Sequence, residues 1–96
     1  MKNQLTAAGK DVFSDLGFPP AEAENLRIRS KMMRALVSFL RESNLAPAKA
    51  AKQLHVRQSK IAELNRGDIH LLSIDDLVGM LAAAGLRLDL KIKKAA

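Results

Sequence analysis

The chain offers few residues that could do covalent or acid–base chemistry. It has no cysteine, which rules out disulfides and thiolate metal sites. Its two histidines, His55 and His70, have no further ligand type at metal spacing, so no metal site is expected. Asp75 and Asp76 are adjacent, but they follow Ser73 at an apparent helix start, where the helix dipole accounts for carboxylates without catalysis. No glycine-rich phosphate loop and no Ser/His/Asp set is present. The expectation is a protein that is not an enzyme and needs no cofactor. What remains is a polar and basic set on residues 45–67, LAPAKAAKQLHVRQSKIAELNRG, suited to recognition by hydrogen bond and charge.

The local signals in that stretch predict two short helices joined by a tight turn. Pro47 suits the first turn of a helix, where an N–H would be unpaired anyway. Ala50, Ala51 and Leu54 make one apolar face at helical spacing, and Val56, Ile61 and Leu64 make a second. His55 stands where the chain must turn, and Gly67 supplies a stop. A small residue at Ala51 lets the second helix approach the first, and Val56 and Ile61 lock the angle between them. This is the logic of a helix-turn-helix, whose second helix can lie in the DNA major groove.

The rest of the chain must hold that pair in place. Residues 1–11 are polar and small and are expected to be flexible. Residues 12–18, VFSDLGF, concentrate Val12, Phe13, Leu16 and Phe18 in a segment too short to fold alone. Two readings stay open: these side chains cap the domain's own core, or they anchor another protein. Residues 20–42 predict one long helix, started by Pro20, with Leu26, Met33, Val37 and Leu40 as its stripe and Met32, Leu36 and Phe39 widening it. Asn44 is its expected left-handed stop. Ile69, Leu71 and Leu72 are expected to tuck inward. Ser73 followed by Asp76 is close to a capping box, opening a helix that Gly85 ends. In residues 86–92, LRLDLKI, the period changes from 3.6 to 2: Leu86, Leu88, Leu90 and Ile92 share one side. A lone strand cannot satisfy its backbone, so it must pair. The simplest partner is the same strand of a second copy; a partner's sheet edge or an N-terminal strand of the same chain are alternatives.

The totals agree with one small, mostly α domain of four to five helices and one C-terminal strand pairing across a homodimer. The chain has 96 residues, 48% hydrophobic, with three Phe and no Trp or Tyr, a composition that favours helices. A boundary is expected near residue 19, with residues 1–19 a flexible N-terminal segment and residues 20–96 the helix-turn-helix domain with its dimerisation strand. No apolar run approaches the ~20 residues of a membrane span, and the N-terminus lacks the apolar core of a signal peptide, so a cytoplasmic protein with no membrane association is expected. The net charge of +6 is uneven: residues 1–26 carry 2 cations against 4 anions, and residues 27–96 carry 14 against 6. A basic body fits a polyanion and an acidic head fits a second, basic partner; solubility alone is the plainer reading.

Residues 45–67 resemble the helix-turn-helix of Cro/lambda-repressor-type (XRE) regulators. With VFSDLGFPPAEAENLRIRSKMM before it and LLSIDDLVGMLAAAGLRLDL after it, the chain over roughly residues 12–92 resembles the small HigA-type antitoxins of toxin–antitoxin pairs. The turn carries His55 where the family usually has Gly, a residue type more tolerant than most of positive φ. Arg57 stands in place of a Ser or Thr cap worth about 1 kcal/mol. Pro47 replaces a Gln common in relatives. The resemblance implies base contacts by Gln58, Ser59, Ala62 and Glu63, all chemically suited to base edges. It implies phosphate contacts by Arg57, Lys60 and Arg66. The partners it implies are double-stranded operator DNA and a RelE/HigB-type ribonuclease toxin. Val12, Phe13, Asp15, Leu16, Phe18, Glu22 and Glu24 would meet the toxin, and Leu86, Leu88, Leu90 and Ile92 would form the dimer. Two other readings are a free-standing phage-type regulator and an interaction protein that kept the fold without DNA binding.

Overall fold

The structure, a computed structural model, describes residues 12–94. The expectation that residues 1–11 are flexible falls outside them. Five α-helices follow in order: α1 Val12–Asp15, α2 Pro20–Ser43, α3 Pro47–Gln53, α4 Gln58–Arg66 and α5 Ile74–Ala83, with a 3₁₀ turn at Ile69–Leu71 before α5. The long helix, the helix pair and the last helix agree with the sequence reading.

The helix ends explain most of the boundaries. α2 opens on Pro20 and stops at Asn44, which takes φ 55° and donates its N–H to the Leu40 carbonyl at 3.1 Å. The other four helices close in one common way, with a left-handed residue and a reach back across the last turn. In α3, the Val56 N–H bonds the Ala51 carbonyl at 2.9 Å and His55 N–H bonds Lys52 at 3.2 Å. Asp68 to Glu63, Leu86 to Leu81 and Phe18 to Phe13 repeat the longer bond in α4, α5 and α1. Three of the four left-handed positions are glycines; the fourth is His55, with φ 59°. In α1 this closure also brings Phe13 and Phe18 together edge to face, ring centroids 6.3 Å apart. α5 begins with the expected capping box in full: Ser73 Oγ accepts from Asp76 N–H at 3.0 Å, and the Asp76 carboxylate accepts from Ser73 N–H at 3.1 Å.

The core forms where α2 lies along α5 and the α3–α4 pair closes over α2. Met32, Met33 and Leu36 of α2 meet Ala50, Ala51, Leu54, Ile61, Leu64, Leu72, Leu77, Met80 and Leu81. Val37, Phe39 and Leu40 pack against this cluster from its edge. Of the three connection residues expected inside, Leu72 is fully buried and Ile69 partly, but Leu71 is 53% exposed. A three-residue 3₁₀ turn spreads its side chains around the axis, so they cannot all face one way.

Arg29 holds this connection down. Its Nη1 donates to the Ile69 carbonyl at 2.8 Å and the Leu72 carbonyl at 3.2 Å, while Nε donates to Asn25 Oδ1 at 2.6 Å. One cation on α2 thus takes up the Leu72 carbonyl and shares the Ile69 carbonyl with the Leu72 N–H, 3.4 Å away.

The predicted C-terminal strand is absent from the single chain. Among the described residues there is no strand, and residues 86–94 have no regular structure. Leu86, Leu88, Leu90 and Ile92 are exposed, Ile92 at 94%. The physical reason is the one that demanded a partner: without a second strand there is no ladder for the backbone to join.

Two stability measurements check this account. His55→Gly relieves the left-handed strain and should raise stability by about 0.5–1 kcal/mol, read as a higher urea midpoint. Arg29→Met leaves the Ile69 and Leu72 carbonyls without their charged donor and should lower stability by about 2 kcal/mol in the same titration.

Candidate nucleic-acid interface

The turn at His55 sets the direction in which α4 leaves α3, and α4 buries Ile61 and Leu64 against the core. The opposite face of its first turn therefore points outward. Gln58 and Ser59 are exposed, and Ala62 and Glu63, one helical turn further on, are half-buried beside them. Arg57 occupies the N-cap position with extended backbone and makes no capping hydrogen bond, so its exposed side chain is left for contacts outside the fold. An open groove runs between the end of α3 and this face. Ser59, Glu63, Lys52, His55, Arg57 and Lys60 line it, with Ala51 and Val56 at its floor. Lys52 and His55 were not among the residues expected here from sequence; the clue available was that both lie within the same two-helix motif.

The sequence-predicted polar contacts differ in how far the fold already holds them. Gln58, Ser59 and Arg57 are exposed, and none of them hydrogen-bonds through its side chain among the described residues. Glu63 keeps 18% of its side chain exposed, with Oε1 3.3 Å from Lys60 Nζ but off the line of a hydrogen bond. Lys60 is held from three sides: Nζ donates to the Leu71 carbonyl at 3.0 Å and lies 3.3 Å from Glu63 and 3.6 Å from Asp76. It links α4 to the connection and to the start of α5. Arg66, at the far end of α4, is exposed and pairs with Asp68 through Nε and Nη2, each at 2.8 Å.

Asp76 connects this network to the capping box. The Ser73 N–H bonded to its carboxylate is the main reason its pKa lies below the ordinary 3.8; desolvation opposes this, and the Ser73 hydroxyl and Lys60 reinforce it. A depressed carboxylate pKa favours the folded state above the unfolded pKa, and that contribution disappears as pH falls through the folded value.

The N-terminal residues expected to meet a toxin divide between two orientations. Phe13 turns inward and lines a groove with Met33, Val37, Leu64 and Ile69, and Phe18 is half-buried. Leu16 is 70% and Val12 39% exposed. Asp15 and Glu22 are exposed, and Glu24 is paired with Arg27. Phe13 and Phe18 are thus half-buried against their own chain, and Val12 and Leu16 stand exposed.

Among the described residues, no helix is long and apolar enough to cross a membrane. No cluster of His, Cys, Asp and Glu among them could hold a metal ion.

A bundle whose second short helix carries an outward polar turn flanked by cations is a helix-turn-helix, the class of fold that presents a helix to DNA. A family model described as a helix-turn-helix domain matches residues 12–93, and the chain belongs to that family. The match takes in α1 and most of the C-terminal tail as well as the helix pair. No curated protein matches the chain. Membership in this family points to DNA as the partner and to a DNA-binding regulator as the class of function.

Lys60→Met should lower stability by about 1 kcal/mol, since the Leu71 carbonyl loses its donor. Arg57→Ala should leave stability within about 0.5 kcal/mol. Asp76→Asn should flatten the loss of stability as pH is taken below about 4, measured by urea titration at a series of pH values.

Proposed function

We propose that this chain is a sequence-specific DNA-binding repressor of the antitoxin kind, acting as a homodimer on an inverted-repeat operator of its own promoter. The observation that carries the DNA half is the outward first turn of α4, where Gln58 and Ser59 are exposed beside Arg57. Gln58 would pair with the adenine edge, Ser59 would accept or donate at several edges, Ala62 would meet a thymine methyl, and Glu63 would accept from cytosine. Arg57 and Arg66 would set register on phosphates. Lys60 would act mainly by holding Glu63 and the α5 start in position, with phosphate contact as its second role. Two copies joined at their tails would carry the paired α4 helices at a spacing near one helical turn, roughly 34 Å.

The toxin half rests on the resemblance and on the exposed part of the head. Leu16 and Val12 would anchor a basic RelE/HigB-type ribonuclease, with Asp15, Glu22 and Glu24 facing its cations. Phe13 and Phe18 would reach it by releasing their contacts with α2. A second reading, a free-standing regulator without a toxin, is favoured by one observation: Phe13 and Phe18 are already packed against their own chain.

A mobility-shift titration of the promoter fragment at two salt concentrations tests the DNA half. Specific, salt-sensitive binding is expected. Gln58→Ala should weaken it by roughly 5- to 150-fold, the equivalent of about 1–3 kcal/mol. Arg57→Ala should weaken all sequences alike and reduce the salt slope by about one. Binding that ignores Gln58→Ala defeats base reading by α4. Co-expression with the adjacent reading frame tests the toxin half: a complex that is lost when residues 1–19 are deleted supports it. No complex, with DNA binding intact, leaves the free-standing regulator.

A further inference from the structure

We infer that the two tails pair antiparallel with Leu88 on the twofold axis, so that Arg87 of each copy faces Asp89 of the other. This rests on the proposed homodimer and specifies its register. Residues 86–92 follow the end of α5 without regular structure, with both their apolar and their charged side chains exposed. Among the described residues Arg87, Asp89 and Lys91 form no ion pair. The segment therefore has an unused apolar side and an unused charged side.

Side chains alternate along a strand, and residues directly opposite in an antiparallel pair share a face. A symmetric ribbon keeps its leucine sides together only when the axis passes by a residue. Of the seven residues in the run, the five interior ones, Arg87 to Lys91, have run residues on both sides of the axis. An axis at Arg87 or at Lys91 sets a cation against its own copy. An axis at Asp89 sets Asp89 against Asp89 and Arg87 against Lys91, so that every charged pair repels. An axis at Leu90 gains Asp89 against Lys91 but opposes Arg87 to Lys93 and leaves Leu86 facing Lys94. An axis at Leu88 pairs Arg87 with Asp89 twice, Leu88 with Leu88, and Leu86 with Leu90 twice. No like charges then oppose each other within the run, and Leu86, Leu88 and Leu90 all meet leucine. Like charges directly opposite destabilise a ladder and opposite charges stabilise it, so charge selects among registers that hydrophobicity alone leaves close.

The native chain has no cysteine, so single cysteines report the register cleanly. Full-length Leu88→Cys, Asp89→Cys and Leu90→Cys variants are oxidised with a mild supplied oxidant and run on a non-reducing gel. With the axis at Leu88, the thiol introduced by Leu88→Cys meets its own copy. The thiol introduced by Leu90→Cys is then displaced from its own copy by four residues, about 13 Å along the strand, beyond disulfide reach. Rapid dimer formation by Leu88→Cys alone is the expected result, and preferential cross-linking by Asp89→Cys or Leu90→Cys overturns the register. Charge exchange gives an independent readout by analytical ultracentrifugation. Arg87→Asp and Asp89→Arg should each weaken dimerisation about tenfold, and the double exchange should restore it; a double variant no better than the singles overturns the inference. A wild-type chain that sediments as a monomer at micromolar concentration removes the homodimer itself, a failure distinct from the wrong register.

Discussion

What α4 can present to a partner depends on a single turn. The bond from Val56 N–H to the Ala51 carbonyl forces His55 into the left-handed region and points α4 away from α3 at a set angle. Ala51 is small enough to let the two helices close, and Ile61 and Leu64 then anchor the inner side of α4 in the core. Once that side is buried, the 3.6-residue period leaves Gln58 and Ser59 outward. A histidine at the turn costs local strain that glycine would avoid, so the geometry persists because the apolar contacts on either side of it over-determine it. The outward face of α4 is a consequence of core packing as much as of the residues that form it.

The connection between α4 and α5 is held by polar pins as well as by the burial of Leu72 and Ile69. It exposes carbonyls that neither helix can satisfy, and two cations from different helices take them: Arg29 from α2 and Lys60 from α4. Lys60 also faces Glu63 and Asp76, which ties the groove beside α4 to the capping box of α5. A charge placed beside the outward face of α4 thus serves the fold. The exposed Arg57 side chain, by contrast, makes no hydrogen bond or ion pair with the fold among the described residues.

The two ends of the domain differ in how much each can settle alone. At the N-terminal end, α1 folds back through Phe13 and Phe18 yet leaves Leu16 outside, so part of its apolar surface is used and part is available. At the C-terminal end nothing is used: Leu88, Leu90 and Ile92 remain in solvent. Both ends lie within the span that the helix-turn-helix family model matches.

Signals that act over a few residues are legible in the chain itself. Pro20 and Pro47 open helices, Asn44, Gly67 and Gly85 end them, and Ser73 with Asp76 forms the capping box, because each depends only on backbone geometry within one turn. The turn at His55 can be anticipated for the same reason. The outward placement of Gln58 and Ser59 follows from the apolar period of Val56, Ile61 and Leu64. Side-chain partners distant in sequence cannot be read this way. The helical period sets Arg29 on the apolar side of α2, away from Arg27, Lys31, Arg34 and Arg41, but nothing local says which carbonyls it meets, and Lys60 reads as a phosphate contact until the fold brings loop carbonyls within reach of both. Leu71 reads as core until the 3₁₀ turn rotates it outward. The split of the N-terminal aromatics from Leu16 is likewise decided by where α2 runs. Local hydrogen-bonding and periodicity are properties of a stretch of chain; which long, charged side chains are spent on the fold is settled only when distant segments meet.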